Sequence, residues 1–401
     1  MRRPLSMVTG TFALALLLAP TPASSQSADV ILGELVAPRV YARQNGIAAV
    51  TVGTTSCNAG DKVLEWLQLP DNRHPVISMN LYRLLDGRFT QIGQSWGKHG
   101  FVALQENVCG FVCQANPSGQ GLGIGCSDPY GWQNNMGPRL GSRRLVNPVN
   151  GAYNGPLAMQ ELNSFQPTTP IDHGLQVRES DLALPGARYF IEGHYIASDD
   201  ATAGNGNNNV SHMEVTIARD AAGNFIFAAT VPGPRPTVRE IPAFRAWPYA
   251  DFAVHDSWPE DGRLIVGSRA IRVSRTSWRY EYAVYNMNSE RGVRSFTVPV
   301  GAAAITNVGA SAVFSHGEPF SNTAWEAVVE NGRITWSTST FDQDANANAI
   351  RWGTTYNFWF EAAAPAIAAD AVLGRFKPGA GPPTVTVKLQ APKGEAVAAA
   401  R

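Results

Sequence analysis

WRYEYAVY, residues 278–285, decides the fold class. Trp278, Tyr280, Tyr282 and Val284 fall on one side of an extended chain, and Arg279, Glu281 and Ala283 on the other. A period of two is what a β-strand needs to bury one face, because successive side chains point to opposite sides of the sheet. Working outward, strands are expected at 264–273, 295–300, 325–330, 333–338 and 354–360. Asn331-Gly332 joins two of them and favours a tight hairpin. Strands every ~10 residues over roughly 100 residues read as a β-sandwich of the immunoglobulin or fibronectin kind. We place it at 262–370, followed by a Pro/Ala-rich tail at 371–401 in which TVTVKL (384–389) adds one last strand.

Residues 26–248 read as an N-terminal β-rich domain. HPVISMNLYRL (74–84) runs into Asp86-Gly87 and returns as RFTQI (88–92), a hairpin signal. ARYFIEGHYI (187–196) alternates, and 213–218 and 224–230 flank a second turn at 220–223. The stretch 108–148 has almost no periodicity and is dense in glycine, which marks a stapled or functional loop. The Pro-rich run 232–248 reads as an extended connector. With 38 glycines, 27 prolines and only 16% charged residues, the composition favours short strands and turns.

Met1-Arg2-Arg3, the apolar run TFALALLLA (11–19) and PTPASSQ (20–26) form the three-part layout of a secretory signal, with cleavage expected after Ser25. The apolar run is far short of the ~20 residues that span a bilayer, so no membrane span is expected. Export places Cys57, Cys109, Cys113 and Cys126 where thiols oxidise, and two disulfides follow. Four cysteines allow three connectivities, and all three stay open at this stage. The chain is expected in a periplasm or outside the cell. Thirty-two basic and 32 acidic side chains cancel, which argues against nucleic acid as a partner.

The run HPVISMNLYRLLDGRFTQIGQSWGKHGF (74–101) resembles a family of exported bacterial proteins with no established activity. CSDPYG (126–131), DDATAGNGNNN (199–209), YEYAVYNMNS (280–289) and NAIRWGTTYNFWF (348–360) are similar to further motifs of that family. The resemblance implies export and architecture, not chemistry.

His74, His99 and Asp128 are the candidate catalytic constellation, with His74 and His99 as candidate copper or zinc ligands. Gly97 and Gly100 near His99 would let backbone or solvent approach its ring. The plainer expectation is that His74 opens a strand and His99 hydrogen-bonds a loop. Asp342, Asp344 and Asn346 have the alternate spacing of calcium loops, and Asp199-Asp200 with Asn205, Asn207, Asn208 and Asn209 offer hard oxygens. Both stretches also read as ordinary Asx-rich turns. His316 beside Glu318 reads as a base or as a loop residue. Gly93-Gln-Ser95-Trp-Gly97 matches a nucleophile elbow in letters, but no helix is expected after it. Trp96, Trp132, Trp247 and Trp258 are candidates for a glycan-stacking surface, whereas Trp278 and Trp336 read as core.

Two function classes emerge. The first is a non-enzymatic extracytoplasmic binding or surface protein with a glycan or surface partner. The alternative is a metal-assisted extracytoplasmic enzyme acting on polysaccharide through His74, His99 and Asp128.

Overall fold

The computed structural model describes residues 27–164, 168–231 and 236–394; the expected leader at 1–25 lies outside them. The chain is mostly β. A ten-stranded antiparallel sheet runs in the order Val30–Gln44, Ile47–Asn58, Leu175–Arg178, Arg88–Gln94, Val76–Leu85, Arg188–Ile196, Val210–Arg219, Phe225–Ala229. Lys98–His99 and Ser127–Tyr130 pair onto it from the side. The sheet curls until Ser211 Oγ donates to Leu32 O at 2.6 Å. Its inner face buries Leu32, Val50, Ile77, Leu81, Ile191 and Tyr195.

The remaining strands form two five-stranded antiparallel sheets. One holds Asp251–Asp256, Arg263–Arg272, Trp278–Asn286, Thr354–Ala362 and Ile305–Ser311. The other holds Glu326–Glu330, Arg333–Ser337, Val293–Pro299, Ala366–Arg375 and Thr384–Pro392. Tyr280, Tyr282, Phe296, Trp336, Phe358 and Leu373 from both sheets share one apolar core. Trp336 is fully buried there, and Trp278 packs at its margin. Asp251–Asp256 is an edge strand of the first of these sheets, and Ala366–Arg375 and Thr384–Pro392 pair in the second.

The hairpins at Asp86-Gly87 and Asn331-Gly332 form as expected, with positive φ at both residues of each turn (50° and 83°, 49° and 69°). Cys57 pairs with Cys109, and Cys113 with Cys126. No helix among the described residues is long and apolar enough to cross a membrane.

The outer face of the large sheet packs on the Trp278–Asn286 sheet. Tyr82, Phe89 and Phe190 from one side meet Ile265, Ala283 and Tyr285 from the other. Phe244 and Trp247, from the segment expected to be a plain connector, wedge between them. Trp247 is 2% exposed and donates Nε1–H to Gly87 O at 2.9 Å, so it is core and not a glycan platform.

Candidate functional site

Pairing of Lys98–His99 against the first residues of Val76–Leu85 carries His99 next to His74. Gly141 makes room for it: a Cβ there would lie 2.6 Å from His99 Nε2. His74 Nδ1 lies 2.6 Å from Leu67 O. A carbonyl only accepts, so the neutral ring carries its proton on Nδ1 and Nε2 is the acceptor. That lone pair is already engaged: Tyr153 OH lies 2.5 Å from Nε2 and His99 Nδ1 lies 3.0 Å from it. All three rings are buried. Burial holds His74 down to about 4 and His99 to about 3, so both imidazoles are neutral near pH 7.

Lys98 is buried too. It donates to His99 O, and its Nζ lies 3.2 Å from the centre of the Tyr130 ring. Burial lowers its ammonium to about 7. Asp128 does not complete the expected trio. Its hydrogen bond is to Leu104 N at 3.0 Å, and neither imidazole bonds to it. Among the described residues, no three of His, Cys, Asp and Glu gather as they would around a metal ion.

Asp344 Oδ1 accepts Asn346 N at 2.8 Å, an Asx turn, and Asp342 is exposed on the same loop. Asp200 Oδ1 accepts Val30 N and its Oδ2 accepts Asn209 Nδ2, while Asp199 accepts Glu65 N. Asn205 donates to Ala28 O and Asn208 to Asp29, so this loop fastens the first strand. Ser95 is 1% exposed, and its hydroxyl is held by Trp96 O and Met79 N, so the elbow match has no reachable nucleophile. His316 donates Nε2–H to Gln94 O, and Glu318 accepts from Ser142 Oγ and Arg144 N. Those two residues anchor their loop to the large sheet and do not pair with each other. Trp96 stacks on His173 with centroids 3.4 Å apart, Trp132 lies under the Arg39 guanidinium, and Trp258 is 46% exposed.

A cavity of about 320 Å³ opens where the two units meet. The large-sheet unit contributes Gln94, Arg143, Arg144 and Val146, and the loops of the second unit contribute the rest. Phe320, Phe341, Trp352, Tyr356 and Phe376 supply aromatic walls. Trp352 is pinned by its Nε1–H to Arg143 O, and Tyr356 OH donates to Asn348 Oδ1 at 2.5 Å. Arg143 is 5% exposed and ties the floor together, donating to Ser95 O, Met79 O and Asn80 Oδ1. Reading the sequence does not find this cavity. Its one local sign is that Arg351-Trp352-Gly353 interrupts the approach to an otherwise regular strand at Thr354–Ala362.

No protein-family model matches the chain, and no curated protein matches it.

Proposed function

We propose that this is an exported, extracytoplasmic binding protein, without catalysis of its own, that holds a small ligand in the cavity between its units. The observation that carries this reading is the cavity itself. Ligand sites favour unit boundaries, volumes of ~300–1,000 Å³, and apolar or aromatic walls with a few fixed polar groups. The cavity has each of these traits. Two disulfides fit maturation in an oxidising compartment, periplasmic or extracellular. A balanced formal charge supports a partner other than nucleic acid. Two five-stranded sheets around one core support an immunoglobulin- or fibronectin-like reading of the second unit.

The competing reading is a metal-assisted polysaccharide enzyme built on His74, His99 and Asp128. The contact between the two imidazoles favours it. It also requires freeing His74 Nε2 from Tyr153 and recruiting a third ligand for copper or zinc. Elemental analysis of purified protein separates the two: near one equivalent of copper or zinc favours the enzyme. Calcium near one equivalent would instead point to the Asp342–Asp344–Asn346 loop.

The binding reading is tested by plugging the cavity mouth at Ala345, an exposed residue of its lining. Thermal shifts are recorded with a panel of monosaccharides and aryl acids. Hits on the wild type are expected to vanish in Ala345→Trp. Equal shifts in both proteins would place the binding elsewhere.

A further inference from the structure

Five basic side chains line the cavity, Arg143, Arg144, Arg291, Arg351 and Lys377, against two acidic ones, Glu290 and Glu318. Their donors are not equally free. Arg144 binds Glu161, and Lys377 binds Glu290. Arg291 spends its guanidinium on the carbonyls of Lys377, Ala380 and Pro382. Arg143 is bonded into the floor.

Arg351 differs. It forms no ion pair among the described residues, and its buried Nε–H has no acceptor. Yet the side chain is held in place. Its Cζ lies 3.5 Å from the centre of the Phe320 ring and 5.1 Å from that of Phe376. Nη2 donates to Ala345 O and Ala347 O. A guanidinium fixed flat against an aromatic face, with no described residue accepting from its Nη1, is a preorganised donor for a carboxylate. Of the two acids of the lining, Glu318 is already engaged by Ser142 and Arg144 N, and Glu290 by Lys377.

Resting on the binding function proposed above, we infer that the cavity takes a small ring-bearing carboxylate, its carboxylate on Arg351 and its ring against the Phe320–Trp352 wall. The volume suits a single ring and not a chain of sugars. The ring is that of an acidic monosaccharide or of an aryl acid. The two share the recognising chemistry and differ in how many hydroxyls they bring to Asn348 and Thr354.

The experiment is calorimetric titration of the full chain with four probes: glucuronate, glucose, benzoate and benzyl alcohol. Each acid is expected to bind at least tenfold more tightly than its neutral analogue. The tighter of the two acids identifies the ring. Arg351→Gln is expected to bring the acids down to the level of the neutral probes, with Arg351→Lys in between. The wild-type comparison stands even where a variant folds poorly. Equal binding of acid and neutral probes overturns this inference and leaves the cavity as a site. No binding of any probe at millimolar concentration overturns the binding function and this inference with it.

Discussion

Arg88 and Glu281, 193 residues apart, close a two-pronged ion pair across the boundary of the units, with Nε–Oε2 at 2.7 Å and Nη2–Oε1 at 2.9 Å. Glu281 is 1% exposed, and Arg279 Nε lies 2.9 Å from its Oε1 as a second partner. The Arg88 guanidinium lies 3.6 Å from the centre of the Trp359 ring. The cavity lies where the same two units meet, so this pair helps hold its walls together.

Removing one half of a buried ion pair costs about 3–5 kcal/mol, because the other charge is left without compensation. Arg279 stays beside Glu281 in the variant, so Arg88→Ala is expected to lose about 1–2 kcal/mol in urea denaturation, below that full cost. A loss below about 0.5 kcal/mol, typical of a plain surface change, would contradict the structural role given to the pair.

The disulfides make unequal contributions. Cys57–Cys109 spans 52 residues and Cys113–Cys126 spans 13. Chain entropy alone assigns them about 4 and about 3 kcal/mol. The Cys57→Ala/Cys109→Ala double variant should accordingly be the less stable of the two double variants by denaturant midpoint. The reverse order would mean that local packing, not loop closure, sets their contributions.

Asp200 is fully buried, and burial pushes its carboxyl up to about 8, against the pull of Asn209 and Val30 N–H. A raised value in the folded state means that the folded protein holds this proton more tightly. Its stabilising effect is complete below the ordinary 3.8 and is lost as pH climbs towards 8. The stability difference between the wild type and Asp200→Asn, read from denaturation curves, is expected to shift against the wild type as pH rises across that window. A constant difference would contradict the assignment.

His74 and His99 act with the opposite sign. Burial depresses both, so their contribution is present above 6.5 and is lost as pH falls towards 4. Their ring C–H resonances should stay in the neutral position down to pH 5. A midpoint near 6.5 for either would show an open, hydrated pair and would favour the enzymatic reading.

Part of this was legible in the residues. The alternation at 278–285 marks a strand, and the paired turn residues mark hairpins, because both signals are local. The same strand hides its second packed face. Glu281 and Ala283 look solvent-facing in sequence, yet they lie against the large sheet, and nothing local announces Arg88 as a partner. The strand Val30–Gln44 escaped notice because bulges near Leu32, Val36 and Val40 break its period. His74 and His99 lie in contact, and Tyr153 and Lys98 join them only through long-range pairing. The cavity collects side chains from several distant loops, so spacing carries no trace of it.

The most direct test is to see the ligand. Crystals of the full chain soaked with glucuronate or benzoate should show the ring beside Trp352 and its carboxylate on Arg351. Electron density for either compound at His74 and His99, with the space between the units left vacant, would contradict the account.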